Sequence, residues 1–358
     1  MSGRKITWLF TILILASITL GACGKAATKG PISVTPDANG MIDTTQFKKA
    51  GPYTICFSNA GVGNAWRVSM VAHVQYAIDQ AKAQGLIKDY LYADAKDDPN
   101  KQISDIEDLL TRGCDVLLIS AASQDVVDPG AKQAMDQGVP VITVDRDVKS
   151  PANRVSYTDG NSCLMGKTQA EWLAKTLNGT GDIVLLSGVA GASPAEERLR
   201  CAREVFAKYP GIKELAQAYT DWSPTGGQKQ MEAWITQFGD QIDGIWSDSA
   251  LQGIGVVEAI VAAGKQVPPI TGEDWMTFLR QAHTYNFEYV AVSFPSRLGY
   301  FAVTDALDLL QGKPIPYHHQ VEPISISAEN ESKYYDPALD DSVWLDMMPE
   351  VRAILYPK

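Results

Sequence analysis

The chain has 358 residues, 45% of them apolar, and a formal net charge of −11. That length suits two domains of ordinary size, and the apolar share excludes global disorder. The acidic balance, with no basic block after residue 30, argues against nucleic acid, whose phosphates need clustered Lys and Arg.

At the N-terminus Arg4 and Lys5 precede an uncharged run, ITWLFTILILASITL, at residues 6–20. The run is short for a span of about 20 residues and has the anatomy of a signal peptide. It ends in Leu20-Gly21-Ala22-Cys23, which resembles a bacterial lipobox; the resemblance implies cleavage before Cys23 and a lipid on its thiol. The body of the chain is therefore expected outside the cytoplasmic membrane, lipid-anchored, in the periplasm or at the cell surface. Residues 24–50, rich in Gly, Ala, Lys and Thr, read as a flexible tether, with DANG at 37–40 as a turn.

From residue 51 strands and helices alternate. YTICFSN, DYLYADA, CDVLLISA and PVITVDRDV read as strands, separated by helices that end at Gly85, Gly113 and Gly138. Their continuous apolar runs argue a parallel sheet covered on both faces. A second series follows from SYTDGN to EYVAVSF, and the helix LGYFAVTDALDLLQG closes the regular pattern before PISIS. Two successive doubly wound α/β halves are expected. The segment from about Glu329 to Lys358, acidic and then amphipathic, reads as a packed extension.

Four cysteines remain after the leader: Cys56, Cys114, Cys163 and Cys201. Export permits disulfides, and four cysteines allow three connectivities. Cys56 lies in an apolar strand pattern and reads as a buried small hydrophobe, whereas Cys163 and Cys201, near helix starts in one half, are a candidate pair. His73, His283, His318 and His319 show no metal-ligand spacing with cysteines, so no metal is expected, and His318-His319 reads as a solvated connector loop.

The loop SNAGVGNAWR, residues 58–67, raises the question of phosphate binding. A dinucleotide turn needs a third small residue where pyrophosphate approaches, and Trp66 stands there instead. No nucleotide cofactor is expected. What the loop offers is Asn64, Trp66 and Arg67 at a strand's C-terminal end, the edge where open α/β sheets bind ligands. Other strand ends are alike: Asp145-Arg146, Arg198 after Glu196-Glu197, Trp222 after Asp221, Asp248-Ser249, Glu273-Asp274-Trp275, and Ser293-Phe294. Carboxylate, guanidinium and indole groups on one rim suit a sugar, whose hydroxyls donate and accept and whose C–H faces stack on aromatic rings.

Residues 52 to 326 resemble a periplasmic binding protein of the ribose/galactose type, the receptor of sugar ABC importers. The resemblance is carried by SNAGVGNAWR, DAKDDPNKQISDIEDLLTRGCDVLLIS, VPVITVDRDV, ASPAEERLRCAREVFAKYPGI, TDW and GED. It implies the type I fold, two doubly wound parallel-sheet lobes joined by a three-stranded hinge. The lobes would comprise 51–157 with 295–325, and 158–294 with 326–358. It implies hydroxyl binding by Asn64, stacking by Trp66 and Trp222, and hydrogen bonding by Asp145, Arg146, Arg198 and Asp274. Further ligand contacts are expected within Asp248-Ser249-Ala250, whose register stays open, and at Ser293 or Phe294. Arg67 replaces the usual second aromatic, which leaves room for a more anionic furanose or polyol.

The expected protein is a monomer that binds a small sugar or polyol and docks on an ABC transporter permease. A sensory receptor partnered with a histidine kinase or chemoreceptor is the alternative. A repressor sharing this core would need a basic helix-turn-helix where the leader lies. A hydrolase would need G-x-S-x-G, which GASPA does not supply, so the protein is expected to be no enzyme.

Overall fold

The computed structural model describes residues 31–357; the leader and Cys23 lie outside the described residues. Among the described residues no helix is long and apolar enough to cross a membrane.

The strands in chain order are β1 (Met41–Ile42), β2 (Tyr53–Asn59), β3 (Ile87–Asp94), β4 (Val116–Ser120), β5 (Val141–Val144), β6 (Ser156–Asp159), β7 (Thr180–Ser187), β8 (Gly211–Tyr219), β9 (Gly244–Ser247), β10 (Ile270–Gly272), β11 (Tyr289–Val292), β12 (Ile315–Pro316), β13 (His318–Gln320) and β14 (Ser325–Ser327). The helices are α1 (Ala65–Ala83), α2 (Pro99–Arg112), α3 (Gln124–Asp136), α4 (Ser162–Thr176), α5 (Ser193–Phe206), α6 (Pro224–Phe238), α7 (Ala250–Ala262), α8 (Met276–Tyr285), α9 (Leu298–Gln311) and α10 (Pro349–Leu355).

Two six-stranded sheets form, in the orders β13-β6-β5-β4-β2-β3 and β14-β11-β10-β9-β7-β8. All neighbouring pairs are parallel except β11–β14. Parallel strands buried on both faces need apolar residues without alternation, and β4 and β5 are buried at every position. In the second sheet, Val184, Leu186 and Ile245 pack into one apolar layer while Ile183, Leu185 and Trp246 pack into another. Successive side chains point to opposite faces, so a sheet that is apolar throughout takes helices on both sides. This is the two-lobed α/β architecture expected from the chain.

The chain passes between the sheets after Asp159, after Val292, and between Gln320 and Ser325. β13 pairs with β6 over His318–Gln320, so the His-His dipeptide lies in the first sheet and not in a solvated loop. His319 Nδ1 lies 2.7 Å from the Asp305 carboxylate.

Three further expectations are corrected. Residues 41–50 are not part of a free tether: β1 pairs with β12, and Ile42, Thr44 and Phe47 are buried against the first lobe. Composition had suggested a linker, but two apolar side chains suffice to dock the segment. Cys56 is no isolated small hydrophobe but is disulfide-bonded to Cys114, their Cα atoms 5.7 Å apart; Cys163 is bonded to Cys201 at 5.3 Å. Parallel pairing of β2 with β4 brings the first two cysteines together, a contact no local pattern encodes. Finally, the end of the chain does not stay on the second lobe. α10 packs on α1 of the first, with Val351 fully buried.

Candidate functional site

The C-terminal ends of the two sheets face each other across a narrow cleft. Its walls are Asn64, Trp66, Arg67, Asp145 and Arg146 from the first lobe, and Arg198, Trp222, Ser249, Leu251 and Glu273 from the second, with Phe294 at the hinge. The lobes touch: the Arg146 guanidinium lies 5.2 Å from the Trp222 ring centroid, and Asp147 N donates to Ser193 Oγ at 2.8 Å.

Backbone geometry aims several of these side chains. Asn64 caps α1, its side-chain oxygen accepting from Arg67 N at 2.9 Å. Asp145, Asp221 and Trp222 all have positive φ (63°, 56° and 46°), a region L-residues adopt at a cost and that gathers at ligand sites. Trp222 also depends on Gly188, because a Cβ there would lie 1.8 Å from the indole. Asp248 stands behind the wall and orients that indole. Its Oδ1 accepts from Trp222 Nε1 at 3.1 Å, and its Oδ2 from Gly188 N at 3.1 Å. Asp248 thus acts on the cleft through Trp222.

Arg67 does not point a free charge at the cleft. It pairs with the Asp145 carboxylate and with Asn59 Oδ1, and donates to Gly61 O and Ser120 Oγ at 3.0 Å each. The added cation expected from the sequence is balanced inside the first lobe, which removes the reason for expecting a more anionic ligand. Arg146 is the opposite case. It is buried, yet its nearest acceptors are Asp97 at 3.5 Å and Asp145 at 3.9 Å, longer than ordinary hydrogen bonds. Burial and the nearby Arg67 charge lower its pKa to about 10, so it stays charged at neutral pH.

Arg198 lies 4.2 Å from the Phe294 ring centroid and 5.8 Å from that of Trp222. One terminal nitrogen donates to Asp248 O at 3.1 Å and approaches Glu273 at 3.6 Å, while its buried Nε has no partner. Glu273 also accepts from Ser249 Oγ. Burial is the main influence on Glu273 and pushes its pKa up to about 7, against the opposing pull of Arg198. The native state therefore holds this proton more tightly than the unfolded chain, whose ordinary value is 4.5. The Glu273 contribution to stability is greatest below about pH 4.5 and declines as pH rises through about 7. Urea unfolding of wild type and Glu273→Gln between pH 4.5 and 7.5 should show a stability difference that changes with pH in this sense.

Besides Asp248, two residues expected in the site lie outside its lining. Asp274 turns away, its Oδ2 accepting from Asp346 N at 2.7 Å. Ser293 donates to Asp346 Oδ2 at 2.7 Å and accepts from Ile324 N at 2.8 Å. Of the two residues open at the last crossover, Phe294 lines the cleft, and Glu273 takes the position assigned to Asp274, a tight turn with Trp275 N donating to Glu273 O at 2.8 Å separating the two side chains. Leu251, on the first turn of α7, carried no sequence signal. Among the described residues no cluster of three or more His, Cys, Asp or Glu is arranged to hold a metal ion.

Two parallel-sheet lobes meet here with a polar, aromatic-lined cleft between their C-terminal edges. The chain belongs to the periplasmic binding protein domain family, whose model matches residues 55–314. Among curated proteins it is similar to a xylitol-binding protein of Mycolicibacterium smegmatis, 29% identical over 54% of this chain and 55% of that protein. A galactofuranose-binding protein of Escherichia coli is 29% identical over 60% and 68%, and a ribose import binding protein of Bacillus subtilis 26% over 74% and 83%. The first match thus spans just over half of that relative's length. Among solved structures, an ABC transporter solute binding protein from Thermobispora bispora superposes with a TM-score of 0.73 at 26% identity, covering 82% of this chain and 90% of that one.

Proposed function

We propose that the protein captures one uncharged monosaccharide or polyol in the interlobe cleft and delivers it to an ABC importer. The observation that carries this reading is the pair of guanidiniums lining the cleft: Arg146 comes no nearer to a carboxylate than 3.5 Å, and Arg198 Nε has no partner. A buried donor without a partner is costly, and vicinal hydroxyls supply acceptors in the spacing a guanidinium fork fits. Asn64, Asp145 and Glu273 accept the hydroxyl protons, and Trp66 and Trp222 cover the C–H faces of the ligand. Asp97 and Glu273 stand nearest Arg146 and Arg198, while Arg67 is held in its ion pair with Asp145, so a neutral ligand leaves the least charge uncompensated.

Relatives that bind xylitol, galactofuranose and ribose support the same class. Their descriptions as import binding proteins favour delivery to a permease over signalling to a sensor. The leader and Cys23 add a lipid anchor on an extracytoplasmic membrane face to this proposal, with the closed lobes forming the docking shape for the permease.

A thermal-shift and tryptophan-fluorescence panel of pentoses, hexoses, furanose-forming sugars, xylitol and inositols tests it. At a hundred times the Kd, a true ligand adds about 2.7 kcal/mol to stability. A panel with no member shifting either signal overturns the sugar reading.

A further inference from the structure

The chain does not end with the second sheet. Residues 337–346 run along the second lobe, where Arg280 donates to Pro337 O at 3.2 Å, Thr277 N to Asp341 O at 3.2 Å and Met276 N to Val343 O at 3.0 Å. Trp344 is buried and stacks on Trp275, the rings 5.5 Å apart and nearly parallel. The segment then crosses to the first lobe. Met348 N donates to His73 Nε2 at 3.2 Å, and α10 lies on α1.

At the crossing stands Asp346. Its carboxylate is ion-paired with Arg297 and accepts from Ser293 at 2.7 Å, on either side of Phe294. Its backbone N–H donates to the Asp274 carboxylate at 2.7 Å, and Leu345 N donates to Asp274 O at 3.1 Å. Phe294 and Glu273, the direct neighbours of Ser293 and Asp274, line the cleft. One tail residue therefore grips both loops that carry these two side chains.

We propose that residues 341–356 form a strap across the hinge, and that Asp346 is a positioning residue that holds the Glu273 and Phe294 loops in their cleft-lining arrangement. The strap contacts both lobes and one of the three chain crossings, so it acts on the hinge and the cavity together. Its effect on affinity rests on the sugar-binding reading; its effect on the hinge does not.

The test uses the full chain, with Asp346→Ala, the near-isosteric Asp346→Asn, and Lys333→Ala as an exposed control on the turn that precedes the strap. Hydrogen exchange of the ligand-free proteins is expected to rise about tenfold in peptides covering 270–279 and 289–299 for Asp346→Ala, with β4 and β9 unchanged. Asp346→Asn, which keeps a partner for Ser293 but loses the charge facing Arg297, should give a smaller rise at the same peptides. Unchanged exchange there, a uniform rise over the whole chain, or the same rise in Lys333→Ala overturns the strap. For a sugar or polyol that stabilises the wild type, Asp346→Ala is expected to bind about tenfold more weakly, and equal affinity overturns the positioning role. A wild type that binds no member of the panel removes the sugar reading, while the exchange result still decides the strap.

Discussion

Arg67→Met is expected to destabilise the ligand-free protein by about 3–5 kcal/mol, the range for removing one partner of a buried ion pair. The substitution preserves much of the apolar stem volume, so the loss reads the charge. It leaves Asp145 buried with Ser120 Oγ at 3.2 Å as its remaining side-chain hydrogen bond and Arg146 at 3.9 Å as its remaining cation; Asn59 Oδ1 loses its donor, while Gly61 O keeps Asn59 Nδ2 at 3.0 Å. Urea denaturation of wild type and Arg67→Met at neutral pH checks the loss. In the double variant Arg67→Met/Asp145→Leu much of the loss should return, because the uncompensated charge is gone. A single variant as stable as wild type would mean that the ion pair contributes nothing.

Arg146→Ala should behave in the opposite way. Arg146 makes no ordinary-length side-chain hydrogen bond inside the protein, and its burial already disfavours the charge. Deleting it orphans no internal acceptor, so the ligand-free protein should keep its stability to within about 1 kcal/mol, much of any loss coming from its packing on Trp222. Ligand affinity should fall by about 3 kcal/mol, on the order of a hundredfold, because two charge-assisted bonds to hydroxyls at about 1.5 kcal/mol each are lost. Titration calorimetry with a ligand found in the panel, set beside the unfolding curve, separates the two effects. A variant that binds as tightly as wild type would remove Arg146 from the site. A large stability loss would show that its role is structural.

The contrast between these two arginines was hidden in the sequence. Both follow strand ends on the first lobe and both are buried, so composition and position treat them alike. What separates them is that three different strand ends bring Asn59, Ser120 and Asp145 within hydrogen-bond reach of Arg67, whereas Arg146 stands 3.9 Å from the same Asp145 carboxylate. The left-handed backbone at Asp145 completes that arrangement by turning its carboxylate toward Arg67.

Local chemistry determined much of this protein. Unbroken apolar runs bounded by glycine-capped helices require parallel sheets covered on both faces, because nothing else satisfies their backbone groups and buries both sides. Polar and aromatic residues at successive strand ends then fall on one edge of each sheet, and so the cleft was legible as Asn64, Trp66, Asp145, Arg146, Arg198, Trp222 and Ser249. Only the tertiary structure decided between adjacent residues, placing Glu273 and Phe294 in the wall and turning Asp274 and Ser293 to the tail. It alone joined Cys56 to Cys114, docked residues 41–50 on the first lobe, and carried the C-terminus across the hinge. The reason is one of range. Periodicity and capping act over a few residues and leave their mark in neighbouring letters. Pairing across 58 residues between Cys56 and Cys114, or 275 between His73 and Met348, is set by which surfaces meet once the sheets have formed.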